Sequence, residues 1–366
     1  MQIIHDIQLD YCDVLIAPQT TSINHRGEVK LIRDFKQLSG FRCCPIMNAN
    51  MTQTGTFEVA KALIFEGMIG CIHKFYTAEE ICNFLDKEPE CRFSKEFFIT
   101  IGLRNQAEEV LKLRACEKYK EWSILIDVPN AYIPEVEDFV KHVRYEFPDR
   151  IIAVGNVCTG DRTQELIKAG ANIVKVGIGP SAVCRTRHTT GCGRPQLSAV
   201  IDCANAAHQV GGLIIADGGF NNVGDLSKAF VAGADICMSG SMFAGCDEAA
   251  GEIINKMYRT NEYTYDSEPE DESNYVNPDR PIYEMKKFKE YYGMSSFRAQ
   301  KENYGKKTIT GTSEGVESKL IPYTGPIINT INNIKGGLRS TGSYIGAKNI
   351  KSFSRQGSFY KTNRIQ

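Results

Sequence analysis

Asn172-Ile173-Val174-Lys175-Val176-Gly177-Ile178-Gly179-Pro180-Ser181-Ala182-Val183-Cys184-Arg185-Thr186-Arg187 changes character halfway along. Its first part is a short β-branched run without the polar alternation of a half-exposed strand, as expected of a strand buried on both faces of a parallel sheet. Its second part is a Gly/Pro/Ser loop that delivers a cysteine with a hydroxyl two residues on. A strand that ends in a tight loop bearing a thiol is a means of presenting a nucleophile. Residue type alone argues weakly, because the chain has 13 cysteines and most cysteines are small buried hydrophobes. The setting of Cys184 carries the argument.

Seven other runs read as strands of the same kind: 44–47, 68–73, 97–101, 123–127, 151–154, 213–216 and 235–238. Helical patterns lie between them, most clearly over 133–147, where Val136, Phe139, Val140, Val143 and Phe147 recur at spacings of three and four. Others cover 57–65, 78–85, 163–169, 197–207 and 225–232. Alternating strands and helices imply a parallel sheet with helical crossovers, and eight such units predict a closed (β/α)8 barrel of the α/β class. An open doubly wound sheet is the runner-up, disfavoured because no Gly-x-Gly-x-x-Gly follows the first strand.

In such a barrel, chemistry belongs to the loops after the strands, and phosphate to the loops after strands seven and eight. Those strands end here in Asp217-Gly218-Gly219 and Ser239-Gly240-Ser241, whose glycines let backbone N–H groups approach an anion closely. Each alone reads as an ordinary tight turn; both together, beside the Cys184 loop, predict a phosphate site.

The composition, 42% hydrophobic and 24% charged over 366 residues, is that of a globular chain able to bury a large core. A formal net charge of -1 gives no reason to expect nucleic acid or an anionic membrane as a partner. Met1 to Asp6 lacks the features of a secretory signal and no apolar run is long enough to span a bilayer, so a cytoplasmic location is expected, with the cysteines as free thiols. Beyond Gly251 the regular pattern stops. The stretch 260–280 is rich in Asp, Glu, Asn, Ser and Tyr, with Glu268, Glu270, Asp271 and Glu272 close together, and Lys286-Lys287-Phe288-Lys289 reads as a solvated face. The expectation is one barrel domain over 1–366, with a long irregular insertion and active-site flap at 257–318.

The chain resembles the IMP dehydrogenase/GMP reductase family. The resemblance is carried by Leu9 to Pro18, Pro45 to Met51, Val154 to Gly160, Val176 to Gln196 with Cys184, Ala216 to Gly219, Ala244-Gly245, Gly293-Met294-Ser295-Ser296 and Gly336 to Thr341. It implies that Cys184 attacks carbon 2 of a purine nucleoside monophosphate, with Thr186 and Glu314 as proton partners. Asp217, Gly218, Gly219, Gly240 and Ser241 would hold ribose and phosphate; Gly293, Met294, Ser295, Ser313 and Gly315 would hold base and sugar edge. Arg26, Lys74, Asp127 and Asn156 would face NADPH, with Ser340, Thr341, Gly342 and Ser343 supplied by a neighbouring subunit of a homotetramer. Carbonyls of Gly179, Ser181 and Cys184, near Arg187, would hold a potassium ion.

Two features point to the reductase branch, which converts GMP to IMP and ammonia. Only one helix is expected between Phe75 and the third strand, leaving no room for the regulatory domain pair usual in the dehydrogenases, and the flap shows Asn303-Tyr304 where they carry Arg-Tyr. Glu314-Gly315-Val316-Glu317 and Pro322-Tyr323-Thr324-Gly325 also resemble bacterial dehydrogenases, so oxidation of IMP to XMP with NAD is an alternative, as is a nucleotide-binding barrel with impaired turnover. The departures from the family pattern are Ser181-Ala182 in place of Gly-Ser, Arg185 in place of Thr, Thr52 in place of Asp and Gly311 in place of an arginine.

Overall fold

The structure, a computed structural model, describes residues 6–119, 121–264, 280–305 and 312–362. Eight parallel strands form its centre: β1 Ile46–Asn48, β2 Gly70–Ile72, β3 Phe93–Ile101, β4 Glu121–Asp127, β5 Ile152–Val157, β6 Ile173–Val176, β7 Leu213–Asp217 and β8 Ile236–Ser239. From β2 to β8 each pairs with the next in sequence, and β8 pairs with β1. A parallel bridge between Met47 and Ile69, with the Ile69 N–H donating to the Ile46 carbonyl at 3.0 Å, closes the ring between β1 and β2.

The period-2 alternation of strand side chains sorts the core into two shells. Ile124 and Ile126 of β4, Val174 and Val176 of β6 and Ile214 and Ala216 of β7 face the surrounding helices. Leu125, Ile173, Ile215 and Met238 fill the barrel with Phe98. Phe35 and Phe41, on the short antiparallel pairing of Arg33–Asp34 with Arg42–Cys43, plug the floor beneath Phe98 in edge-on contacts of 5.2 and 6.2 Å.

Outside lie α1 Phe57–Phe65, α2 Ala78–Lys87, α3 Gln106–Ala115, α4 Pro134–Glu146, α5 Gly160–Lys168, α6 Gln196–Gln209, α7 Val223–Val231 and α8 Ile327–Tyr344. The last is separated from β8 by a long excursion, yet it completes the ring. Thr341 Oγ1 lies 2.8 Å from Ser227 Oγ on α7, and Lys335 Nζ pairs with Glu66 Oε2 at 2.7 Å beyond the end of α1. Two of these helices, α3 and α8, were not expected from the sequence.

The excursion corrects another expectation. Where an irregular flap was predicted from 257 on, β9 Ile253–Thr264 and β10 Arg280–Tyr291 form an antiparallel pair, joined at its base by β11 Lys319–Pro322. A short helix, Phe297–Tyr304, lies between β10 and β11. Lys289 is not on a solvated face: it is 4% exposed, and its ammonium donates to the carbonyls of Ala249 at 2.6 Å and Asp247 at 3.2 Å. The acidic cluster Glu268 to Glu272 and Gly311 lie outside the described residues. All 13 cysteines are free thiols, as expected, and no helix among the described residues is long and apolar enough to cross a membrane.

Candidate active site

The carboxyl ends of the strands surround a cavity of about 1150 Å³, larger than the ~300–1,000 Å³ usual for a single small ligand. Cys184 and Thr186 reach it from the loop after β6, Asp217, Gly218 and Gly219 from the end of β7, and Gly240 and Ser241 from the loop after β8. Lys74, Asp127 and Asn156 line it from the ends of β2, β4 and β5, while Met294 and Ser295 cover it from the segment after β10. Gly179 and Ser181 also border it. The chain thus gathers most of the residues singled out in the sequence at one mouth, and divides them into two neighbouring halves.

The thiol is tied to two partners. Cys184 Sγ donates to Thr186 Oγ1 at 3.2 Å, and Thr186 Oγ1 donates to Glu314 Oε2 at 2.8 Å. Glu314 lies 128 residues beyond Thr186 in the chain, and two backbone bonds bring it there: the Arg185 N–H donates to the Glu314 carbonyl at 2.6 Å, and the Val316 N–H to the Val183 carbonyl at 2.9 Å. The covering segment approaches so closely because of its glycines. A Cβ on Gly293 would stand 2.5 Å from the Val183 carbonyl oxygen, and one on Gly315 would stand 2.5 Å from the backbone nitrogen of Ser296. Gly293 and Gly315 therefore act as packing points under the cover. Ser313 likewise stands outside the cavity lining, and its hydroxyl bonds Glu317 Oε1 at 2.9 Å.

A charged layer occupies the top of the barrel interior. Lys175, only 3% exposed, sits between Asp217 Oδ2 at 2.8 Å and Asp127 Oδ1 at 3.1 Å. Asn156 Nδ2 donates to Asp217 Oδ2 at 2.9 Å, and Lys74 pairs with Asp127 Oδ2 at 3.2 Å. Burial opposes charge on both Lys175 and Asp127, but opposite charges win. Asp217 and then Asp127 raise the lysine above its ordinary value, while Lys175 and then Lys74 hold Asp127 well below the carboxylate range. Lys175 and Asp127 are therefore both charged at neutral pH.

Lys175 is a site residue that the sequence reading missed. A lysine inside a β-branched strand run was the available signal, since a buried cation demands partners. Tyr291 was missed as well. Its buried hydroxyl occupies the space a Gly240 side chain would need, where a Cβ would stand 2.1 Å away, and it donates to Met51 Sδ at 3.0 Å.

Besides Gly293, Ser313 and Gly315, the groups Arg26, Ser340 to Ser343 and Arg187 are not brought to the cavity. Arg26 lies outside it and bonds Ser340 Oγ at 3.5 Å, so the Ser340 to Ser343 group stays with Arg26 on the outer wall of the same chain. Arg187 lies beside Gly179, where its guanidinium pairs with Asp10 Oδ2 at 3.2 Å and bonds the Arg194 carbonyl. Among the described residues, no cluster of His, Cys, Asp and Glu is arranged to hold a metal ion.

A model of the IMP dehydrogenase/GMP reductase domain matches residues 8–265 and 276–365, leaving out only the acidic insertion and the chain ends. The chain is 38% identical to the GMP reductase of Vibrio atlanticus (strain LGP32) over 367 aligned positions, covering 99% of this chain and 96% of the relative. It is 39% identical to GMP reductase 1 of Rattus norvegicus over 362 positions, covering 98% and 96%. With a matching domain over nearly its whole length on a barrel of the expected kind, the chain belongs to the IMP dehydrogenase/GMP reductase family of oxidoreductases.

Proposed function

We propose that this protein is a GMP reductase that converts GMP to IMP and ammonia at the expense of NADPH, through a covalent bond between Cys184 and purine carbon 2. The observation that carries the reading is the hydrogen-bonded series Cys184–Thr186–Glu314 at the mouth of a cavity roomy enough for two ligands. Carbon 2 of guanine is a poor hydride acceptor, and covalent attachment divides one difficult displacement into two easier ones. As Cys184 Sγ adds to carbon 2, its proton can pass to Thr186 Oγ1 while the Thr186 proton passes to Glu314 Oε2. The same path run backwards gives the departing amine the proton it needs to leave as ammonia. Bound NADPH would supply the hydride that carbon 2 receives, and breakage of the carbon–sulfur bond would then release IMP and free Cys184 again.

The two halves of the cavity support a division of labour. Gly218, Gly219, Gly240 and Ser241 suit the phosphate, Asp217 the ribose hydroxyls, and Met294 and Ser295 the base. Lys74, Asp127 and Asn156, on the neighbouring strands, suit the nicotinamide nucleotide, with Lys74 and Lys175 keeping Asp127 charged and fixed. Carbonyls of Gly179, Ser181 and Cys184 would hold potassium; as hard oxygen donors they suit an alkali cation, and the nearby Arg187 charge is already matched by Asp10. A bound cation would supply fixed positive charge under the thiol loop. Because Arg26 and Ser340 lie away from their own cavity, a cofactor role for the Ser340 to Ser343 group needs a second subunit. A homotetramer is expected, and light scattering showing a monomer at full activity would contradict it.

The experiment that tests the function is a mixture of purified protein, GMP and NADPH followed by loss of reduced nicotinamide absorbance, with IMP and NAD as the opposite arm. Turnover is expected in the first. Cys184→Ala should retain GMP binding and lose turnover, and turnover at the parental rate in that variant would defeat the covalent mechanism. The intact relay also favours an enzyme over a barrel with impaired turnover.

A further inference from the structure

A second cavity, of about 320 Å³, opens at the other end of the barrel, where Leu213 begins β7 and Asp235 immediately precedes β8. The catalytic mouth uses the opposite ends of these same strands, at Asp217 and Ser239, roughly 13 Å away along a strand rising ~3.3 Å per residue. Four basic side chains line it, Arg33, His208, Lys351 and Arg355, against one carboxylate, Asp235.

That carboxylate is 1% exposed and already engaged. Its Oδ1 accepts from Arg33 Nη2 at 2.7 Å; Oδ2 accepts from the Ile214 N–H at 2.9 Å and lies 2.9 Å from His208 Nε2. Asp235 therefore fixes Arg33 and His208 in the wall but can neutralise only one charge. Lys351 and Arg355 are exposed and have no ion-pair partner among the described residues. Nε of Arg33 is buried and without a hydrogen-bond partner there. The cavity thus keeps two unbalanced positive charges from its arginines and lysine, and a third when His208 is protonated. Phe230, Leu213 and Ile350 give it an apolar side.

We propose that this cavity is a second ligand site, distinct from the catalytic cleft, that takes a small phosphate monoester, with the phosphate among Arg33, Lys351 and Arg355 and the esterified group against Phe230 and Ile350. Convergent guanidinium and ammonium groups give the charge-assisted bonds that phosphate oxygens accept. The volume is at the lower end of the usual ligand range of ~300–1,000 Å³, which admits a compact ester. His208 adds a dependence on pH. Its hydrogen bond to Asp235 raises its pKa above the ordinary histidine value, against burial and the neighbouring Arg33 charge. Asp235 and Arg33 act on it directly, and Lys351 and Arg355 line the same cavity, so affinity for a dianion should rise as pH falls through the raised value.

Isothermal titration of the full chain with sulfate, a dianion throughout neutral pH, and with phenyl phosphate tests this. The parent protein should show two classes of site, one in each cavity. The double variant Lys351→Glu/Arg355→Glu, altered only at exposed positions, should lose one class by about tenfold or more in affinity, keep the other, and keep its turnover. His208→Gln should retain the site and lose its pH dependence. An unchanged isotherm in the double variant, or a single class in the parent, would overturn the site. Phenyl phosphate binding there no more tightly than sulfate would overturn the ester assignment in favour of a free anion.

Discussion

Thr186 has no acid–base strength of its own; its value lies in standing between a thiol and a carboxylate, 3.2 Å from one and 2.8 Å from the other. A proton can cross only if all three are present, which gives the series a kinetic signature. Thr186→Ala and Glu314→Gln should each lower kcat by ~10²-fold, the usual worth of a positioned acid or base. The double variant should lose little more than either single one, since groups acting as a unit are not additive. Losses that multiply in steady-state assays would show the two acting separately. Lys175 supports the neighbouring half of the site by pairing with Asp217 and holding Asp127 ionised, with a consequence for stability. The folded pKa of Asp127 is depressed, so its contribution is present above the unfolded value of about 3.9 and is lost as pH falls toward the folded value. Asp127→Asn should flatten the acid limb of the stability curve below about pH 4, measured by thermal melts across that range; an unchanged limb would contradict the depressed pKa. Cys184 and Asp217 were legible because loop chemistry follows strand ends, whereas the role of Lys175 was not. It lay inside the stretch that revealed the thiol, but only the barrel register shows which strand residues point inward.

At the scale of elements, the eight strands were readable because full burial enriches a run in β-branched and aliphatic residues, and each observed strand overlaps its expected run. α8 carries Ile327, Ile331, Ile334 and Leu338 as a buried stripe at helical spacing, but Asn, Gly and Thr between them mask it, being poor helix formers. The pair β9–β10 eluded the sequence for a different reason. It stands out from the barrel, and residues such as Met257, paired with Met285, stay exposed, so no one-sided burial imposes an alternation to read. Its foot is held by a buried cation instead. Lys289 saturates the Asp247 and Ala249 carbonyls, and Lys289→Ala would strand both. That should cost about 1–3 kcal/mol per group left unpaired, and it should weaken turnover too, because β10 leads directly to Gly293 and Met294. Urea unfolding beside a kcat measurement checks both, and a variant as stable as the parent would show water taking the place of the ammonium.

At the scale of the whole molecule, the barrel forms a closed ring from β1 round to β2, and α8 locks the helical layer by touching both α7 and the end of α1. Everything placed around the cavity hangs on that ring or on the segment from Tyr291 to Pro322. The acidic insertion, outside the described residues, is part of neither in sequence. The family match breaks at residue 265 and resumes at 276, and the register of β9 with β10 is set on the barrel side of the break, from Ile253 with Lys289 to Thr264 with Arg280. No residue of the relay or of the charged layer lies within that gap. A sequence rich in Asp and Glu adds negative charge without adding apolar area to bury, so it contributes little to a core. Replacing 266–275 by a short Asn-Gly connection, which suits a hairpin turn, should therefore leave the thermal midpoint within a few degrees of the parent, as expected for a change outside the cooperative core. It should also leave kcat for GMP unchanged. A loss of turnover with an unchanged melt would place the insertion in the catalytic cover, and a lowered melt would place it in the fold.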